Sequence, residues 1–275
     1  MLILKLLNMI IGLAAAPLLF GIINRVKAKF AGRKGQPLLQ LYFDIWKLLH
    51  KGAVYSKSTS WIFIIGPIVG LSVVLIGLMI IPFSGLPTII SFNGDLILFA
   101  YLLGLSRFFT VLMAMDTGSS FEGMGASREV TFSALSEPAL LISLAAIAKY
   151  TGYISLSQMF SSLDISIWSN TGPVFVLVAC AILIVFLTEN SRIPIDDPNT
   201  HLELTMIHEV MILDHSGPDL GLILYSSAVK MWLLGSILIS IIVPVHSSNI
   251  LLDITVTMIC MILLAVLVEI GRAHV

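Results

Sequence analysis

The chain has 275 residues, of which 57% are hydrophobic and 11% are charged, and its formal net charge is −1. Soluble domains carry about 25% charged residues, so the composition excludes an ordinary soluble protein and indicates a polytopic membrane protein. The net charge gives no basis for nucleic-acid binding, and two cysteines, Cys180 and Cys260, are too few to ligate an iron–sulfur cluster.

Seven apolar stretches are long enough to cross a bilayer, which takes about 20 mostly apolar residues in a helix. In chain order they are 2–24, 61–82, 95–115, 129–150, 171–190, 218–243 and 249–269. The first continues past a small-residue motif into a basic segment, which favours a retained anchor over a cleaved signal peptide. The predicted fold is an all-α transmembrane bundle that forms a single membrane domain over 1–275.

The orientation follows from the positions of lysine and arginine. Eight of the fifteen lie between Arg25 and Lys57, whereas the loops 83–94, 151–170 and 244–248 have none. Because basic loops stay in the cytoplasm, segment 25–60 is predicted to be cytoplasmic and the N-terminus to be outside. The loops 116–128 and 191–217 then also face the cytoplasm.

An amphipathic helix is predicted inside the basic segment, in QPLLQLYFDIWKLLHKG (36–52). One stripe at helical spacing is apolar and consists of Leu38, Leu41, Tyr42, Ile45, Leu48 and Leu49. The opposite face carries Gln40, Asp44, Lys47 and Lys51. Such a short helix is expected to lie in the interface plane of the membrane, and the alternative is a soluble helix packed against a partner.

Three ionisable residues fall deep within predicted spans. Arg107 and Glu137 each lie about 13 Å from the cytoplasmic end of their spans, and Lys230 lies about 18 Å deep. Charged groups at such depth usually pair and often mark ion routes. Pro138 follows Glu137 directly, and it predicts a helix break where water could enter. A buried structural ion pair is the alternative interpretation, and Asp253 is expected to be a solvated residue at the outer boundary.

The segment from Glu189 to Asp219 holds seven of the sixteen acidic residues and three of the six histidines. His201, His208 and His215 are seven residues apart, which is about 10.5 Å along a helix and too far for two ligands of one ion. No metal site is therefore predicted. Histidine titrates near neutral pH, and clustered carboxylates raise one another's pKa, so a proton relay or a docking surface is favoured. An ordinary acidic loop remains open.

Three sequence blocks resemble the complex I subunit 1 family, and within it the membrane subunit of group 4 NiFe hydrogenases of the formate hydrogenlyase and energy-converting type. They are the amphipathic block at 36–52, EGMGASREVTFSALSEPALL at 122–141, and TENSRIPIDDPNTHLELTMIHEVMILDHSG at 188–217. The resemblance implies a helical subunit that couples a soluble redox module to proton or sodium translocation, without catalysis of its own.

The resemblance also implies roles for individual residues. The carboxylates of the ion route would be Glu137, Glu189, Asp196, Asp197, Glu203 and Glu209, and Arg128 and Arg192 would be their charge partners or interface anchors. Apart from the resemblance, the depth of Arg107 and Lys230 in their spans adds these two residues to the predicted route. Asp44, Lys47 and His208 are further predicted interface residues or charge partners. The segments 25–60 and 191–217 would dock the hydrogenase large and small subunits on the cytoplasmic face.

The expected partners are these subunits, antiporter-like membrane subunits and the lipid bilayer, in a prokaryotic inner membrane. No cofactor is expected in this chain, because the NiFe centre and iron–sulfur clusters would lie in partner subunits. Three alternatives remain: a stand-alone secondary ion transporter, the quinone-site subunit of a complex I-like NADH dehydrogenase, and a purely structural anchor. Residues 270–275 depart from the family pattern and are expected to be a non-native tail in place of an eighth span.

Overall fold

The computed structural model describes residues 2–30, 32–164, 166–192, 195–196, 206–244 and 249–270. These residues form ten α-helices and no β-strand. The helices are α1 (Leu2–Phe30), α2 (Gln40–Leu49), α3 (Trp61–Ile80), α4 (Asp95–Asp116), α5 (Ser120–Thr151), α6 (Leu156–Ser161), α7 (Ser166–Glu189), α8 (His208–Met211), α9 (Gly217–Ile242) and α10 (Ile250–Ile270). The suspected tail lies outside the described residues, except for Ile270, which ends α10.

Seven of the described helices, namely α1, α3, α4, α5, α7, α9 and α10, are long and apolar enough to span a membrane. The predicted all-α, seven-span membrane protein is thereby confirmed. Three helices extend five or more residues beyond their apolar stretches: α1 continues to Phe30, α5 begins at Ser120 and α7 begins at Ser166. Hydropathy marks the part of a helix that lies in lipid, whereas the backbone can continue helical into the polar layer.

Helix α9 is the centre of the bundle. It packs against α1, α2, α3, α7 and α10. In its most apolar stretch 67% of the residues are buried, against 22–39% in the corresponding stretches of the other spans. Its Trp232 is 1% exposed and lies 4.9 Å, between ring centroids, from Phe83. Lipid is as apolar as the side chains, so such packing is stabilised by close van der Waals contact rather than by water exclusion.

Glycines let several helices approach closely. A Cβ at Gly66 of α3 would overlap Sδ of Met113 on α4, and a Cβ at Gly77 would lie 2.9 Å from Leu233 of α9. Small residues at such crossings allow backbones to approach and gain packing contacts. Gly66 and Gly77 therefore bring α3 close to α4 and α9.

Two local expectations are wrong. Helix α5 runs through Pro138 without interruption, so the predicted helix break is not present there. The non-helical residue is instead Thr171 in α7, with φ −130° and ψ 25°, two residues before Pro173. Asp253 is 4% exposed rather than solvated.

A buried carboxylate fixes the end of the bundle opposite the basic segment. Asp95 at the start of α4 is completely buried. It accepts hydrogen bonds from the hydroxyl of Ser155 at 2.8 Å and from the backbone N–H of Leu156 at 2.6 Å. These bonds tie α6 to α4 and satisfy the carboxylate, so Asp95 has a structural role.

Candidate functional site

Arg107 is the centre of a charge network inside the bundle. It is 7% exposed and lies on α4, nine residues before Asp116. Its guanidinium forms short ion pairs with Glu137 of α5 and Glu189 of α7. Its Nε lies 3.4 Å from Oε1 of Glu129, also on α5. The predicted pairing of Arg107 with Glu137 is present, and two further carboxylates join it.

Lys230 extends this network onto α9. Its Nζ lies 2.9 Å from Oε2 of Glu189, and the hydroxyl of Ser136 donates to Oε1 of Glu189 at 3.1 Å. The side chain of Glu189 is only 3% exposed, and a buried carboxylate needs such partners to offset the loss of hydration. We call Arg107, Glu129, Glu137, Glu189 and Lys230 the intramembrane charge network. If all are ionised, it carries one negative charge in excess.

Four helices that pack in succession position the network: α4 on α5, α5 on α7, and α7 on α9. Glu129, Ser136 and Glu137 lie on neighbouring faces of α5, because seven or eight residues make about two turns. The sequence-based prediction missed Glu129, which is the first residue of the apolar stretch 129–150. Its spacing from Glu137 is the signal that identifies it.

A cavity of about 180 Å³ opens beside the network. It is lined by Phe20, Glu189, Asn190, Ser191, Arg192, Asp196, His208, Glu209, Ile212, Leu224, Ser227, Lys230 and Val268. The lining includes two network members, Glu189 and Lys230, together with polar residues that follow α7. The cavity therefore joins the intramembrane charge network to the segment around α8, and its volume can hold several water molecules.

Asp196 is held at this cavity by backbone hydrogen bonds. Its Oδ2 accepts from the N–H groups of Ile207 and His208, each at 3.2 Å. The residue is 5% exposed, and its Oδ1 has no hydrogen-bond partner among the described residues. Burial raises the pKa of Asp196, and the two backbone bonds oppose this shift. A carboxyl with a raised pKa is suited to exchanging protons.

His208, in α8, also lines this cavity. Its Nε2 is 3.2 Å from the hydroxyl of Ser227. Burial, and next the positive charge of Lys230, lower the pKa of His208 to about 4. The imidazole is therefore neutral at physiological pH, so it can relay a hydrogen bond but does not supply a standing positive charge.

The two arginines expected to be interface residues have intramolecular contacts. Arg128 donates from Nη1 to the carbonyl of Met206 at 3.1 Å, which fixes the entry to α8. The guanidinium of Arg192 lies 4.9 Å from the centroid of the Phe20 ring, a cation–π contact at the cavity wall. Arg192 thus forms part of the cavity wall, and Arg128 holds the segment that precedes α8.

Other predicted residues lie elsewhere. Asp44 and Lys47 are on α2 and do not line the cavity, and the carboxylate of Asp44 accepts from Gln40 at 2.8 Å. Asp197, Glu203 and His201 lie outside the described residues. His215 does not line the cavity with His208. Its ring stacks instead on Phe63 of α3, with centroids 3.9 Å apart.

No group of three or more His, Cys, Asp or Glu side chains within the described ranges is arranged to hold a metal ion.

Glu122 is a second carboxylate that the sequence-based prediction passed over. It is 1% exposed and accepts from the backbone N–H of Asp214 at 3.1 Å. This bond fixes the start of α5 to the turn between α8 and α9.

Comparison with known proteins gives consistent relatives. The family model described as NADH dehydrogenase matches residues 3–274. Hydrogenase-4 component C of Escherichia coli (strain K12) is 31% identical over 96% of this chain and 84% of that protein. Formate hydrogenlyase subunit 4 of the same organism is 31% identical over 84% of this chain and 74% of that protein. A chain of the membrane-bound sulfane sulfur reductase, an archaeal respiratory membrane complex, superposes with a TM-score of 0.80 at 22% identity, covering 98% of this chain and 89% of that chain.

Proposed function

The chain belongs to the NADH dehydrogenase family, that of complex I subunit 1, and we propose that it couples a soluble NiFe-hydrogenase-type redox module to the translocation of protons or sodium ions. Two relatives at 31% identity are by name components of hydrogenase-4 and formate hydrogenlyase, which supports the hydrogenase-type partner. The NiFe centre and iron–sulfur clusters would belong to partner subunits. In this proposal the chain supplies the carboxylates at the start of the ion route.

The observation that carries the proposal is the intramembrane charge network with the cavity beside it. Ionisable residues within a membrane are costly and are retained mainly where ions or protons move. Here Glu189 belongs both to the network and to the cavity wall. A change of charge or position around α8 can therefore reach Glu189 through the cavity and alter its pairing with Arg107 and Lys230.

The apolar packing of the outer half of α9 supports a sideways exit of the ion, in which it leaves the bundle towards a neighbouring subunit rather than straight across the membrane. Residues 231–239 are all buried, and Ser236 is the single hydroxyl among them. That hydroxyl donates to the carbonyl of Trp232 at 2.7 Å. This part of α9 therefore provides no chain of polar groups from Lys230 towards the outer face.

Glu137 provides the sideways exit. Its side chain is 48% exposed although Arg107, its partner, is 6% exposed. Around it on α5, Leu135 and Leu141 are 72% and 45% exposed, as expected of a surface in lipid. A carboxylate facing lipid is costly, so we propose that an antiporter-like membrane subunit covers this surface and receives the ion from Glu137.

The distribution of basic residues supports a location of the network near the cytoplasmic face. Eight basic residues between Arg25 and Lys57 favour a cytoplasmic location for that segment and an external N-terminus, in a prokaryotic inner membrane. The hydrogenase large and small subunits would dock on this face, against the segments 25–60 and 191–217. The cavity volume of about 180 Å³ is below the roughly 300–1,000 Å³ of ordinary ligand pockets, which favours water over a quinone.

Substitution of Glu189 by Gln tests the proposal. The amide keeps the shape but removes the titratable charge between Arg107 and Lys230. We expect ion uptake into sealed vesicles that contain the whole complex to fall by about 10²-fold, the lower range for loss of a positioned proton-transfer group. Hydrogen production from an artificial reductant should persist, because the redox module is intact.

Asp214→Asn is the matched control. Asp214 is exposed in the segment between α8 and α9, and the substitution keeps the backbone N–H that donates to Glu122. Its ion uptake should equal that of the wild type. Assembly of each complex is checked by native electrophoresis. Wild-type ion uptake in an assembled Glu189→Gln complex would refute the role proposed for the network.

A further inference from the structure

Helix α2 has two apolar faces rather than one. The middle of the predicted stripe faces inward: the hydroxyl of Tyr42 donates to the carbonyl of Ala14 on α1, and a Cβ at Gly221 of α9 would lie 3.3 Å from Cβ of Leu48. A second apolar face, between this stripe and the polar face, carries Leu39, Phe43 and Trp46, which are 49%, 53% and 67% exposed. We call these three residues the outer stripe of α2.

The depth of α2 is fixed by two glycines. The backbone carbonyl of Leu38, just before α2, lies directly against Gly21 of α1, where a Cβ would overlap it. Gly21 lies a few residues inside the apolar stretch 2–24, and Gly221 lies in the first turns of α9. Both helices therefore hold α2 at the boundary between the apolar layer and the cytoplasmic polar layer.

The exposed surface of α1 shows what surrounds α2. Leu6, Ile10 and Ala14 form an exposed line at helical spacing along α1, as expected of a surface in lipid. None of residues 15–23 is exposed, because α9 and α10 pack against this part of α1 and α2 covers its remaining side, with contacts at Ala14 and Gly21. The outer stripe of α2 therefore continues the lipid-facing surface of α1 over the last turns of the span.

The charges next to the outer stripe are positive. Lys47 is the neighbour of Trp46, and both Lys47 and Lys51 are exposed. Segment 25–60 contains eight basic residues and a single acidic one, Asp44, which accepts a hydrogen bond from Gln40. Tryptophan with lysine at the membrane boundary places an amphipathic ring at headgroup depth and a cation beside the phosphate layer.

From this geometry we propose that the outer stripe of α2, with Lys47 and Lys51, binds anionic phospholipid of the cytoplasmic leaflet. The aromatic side chains enter the acyl boundary, and the two ammonium groups pair with headgroup phosphates. This surface is separate from the intramembrane charge network, and it anchors the basic segment at a fixed height on α1 and α9. The hydrogenase subunits of the proposed function would then dock against the remainder of segment 25–60, and Lys47 would face lipid rather than a partner subunit.

Brominated lipids test the proposal on the full chain in nanodiscs. The fluorescence of Trp46 is isolated as the difference between the wild type and Trp46→Phe, which retains an aromatic ring. Bromines are placed on the acyl chain near the headgroup, on phosphatidylglycerol in one sample and on phosphatidylcholine in the other, at equal minor fractions. We expect Trp46 to be quenched more strongly by brominated phosphatidylglycerol.

The lysines provide the charge test. In Lys47→Gln/Lys51→Gln the preference for phosphatidylglycerol should fall by about fivefold for each lysine removed. Lys149→Gln, an exposed lysine at the far end of α5, is the matched control and should keep the preference. Absence of Trp46 quenching by either lipid would overturn the proposal, because water or another protein would then cover the outer stripe. Equal quenching by the two lipids would overturn the anionic selectivity.

Discussion

Arg107 organises its surroundings through one guanidinium that contacts three carboxylates. Glu129, Glu137 and Glu189 each contact a different nitrogen of this guanidinium, and Glu189 also pairs with Lys230. Removing one partner of a buried ion pair leaves an uncompensated charge and costs far more than a surface pair contributes. The network therefore has a strong physical coupling between its members, so a proton gained or lost at one carboxylate redistributes the others.

Glu209 tests the cytoplasmic end of the proposed route. It is exposed and lines the cavity, so water can partly replace its carboxylate. Glu209→Gln should weaken ion translocation in sealed vesicles, but less than Glu189→Gln does, and hydrogen production with artificial donors should be largely intact. Translocation at the wild-type rate would show that the route does not begin at Glu209.

His215 makes a prediction about acid stability. It is 4% exposed, neither ring nitrogen has a hydrogen-bond partner among the described residues, and burial lowers its pKa to about 4. The unfolded chain, with an ordinary histidine pKa, binds more protons between about pH 6.5 and pH 4. Stability is therefore lost as the pH falls through this window, by about 2 kcal/mol between pH 7 and pH 5.

The substitution His215→Phe should remove that acid sensitivity and keep the stack on Phe63. The measurement is the unfolding free energy in detergent at pH 7 and pH 5 for both proteins, with the exposed His50 replaced by Phe as the control. An unchanged pH dependence in His215→Phe would mean that the imidazole is not held neutral in the folded protein.

At the scale of helices, hydropathy predicted the seven spans but not the helix ends. The span predicted at 129–150 lies inside α5, which begins nine residues earlier, because 120–128 is a mixed polar segment that is helical yet not apolar. The network pairing of Arg107 with Glu137 could be predicted from depth alone, since both lie about 13 Å from the same face. The contact of Arg107 with Glu189 could not, because it depends on which helices are neighbours.

The two faces of α2 show the same limit. Helical spacing identified the stripe with Ile45 and Leu48 correctly, but periodicity does not say whether an apolar stripe meets lipid or another helix. In the structure that stripe meets α1 and α9, and Phe43 and Trp46 remain exposed. Similarly, the glycines that set the position of α2 are recognisable as contact points only once α1 and α9 are in place.

Gly21→Ala tests the packing of α2. Its new Cβ would meet the backbone carbonyl of Leu38, which cannot move as a flexible side chain does. We expect a loss of about 1–3 kcal/mol in unfolding free energy, the usual cost of overpacking, and faster proteolysis of the segment before α2. Gly70→Ala is the control, because its Cβ would only touch Ser106 and Ser226 at 4.0 Å. Equal stability of the two variants would contradict the packing described for α2.

At the scale of the whole molecule, the polar groups form a path that enters from one side and turns. The cavity around Asp196 and His208 leads to Glu189, the network crosses α7, α5 and α4, and Glu137 reaches the surface. The outer half of α9 is packed with apolar side chains. In the proposed function the ion therefore passes to a neighbouring subunit, which agrees with relatives that are by name one component of hydrogenase-4 and one subunit of formate hydrogenlyase.

The most direct test of this account is the number of ions moved per hydrogen molecule produced by Glu137→Gln complexes in sealed vesicles. The account predicts that hydrogen production continues while this ratio falls close to zero, because the ion cannot leave the network for the neighbouring subunit. The control Asp214→Asn should keep the wild-type ratio. A wild-type ratio in an assembled Glu137→Gln complex would contradict the proposed sideways exit and the coupling role built on it.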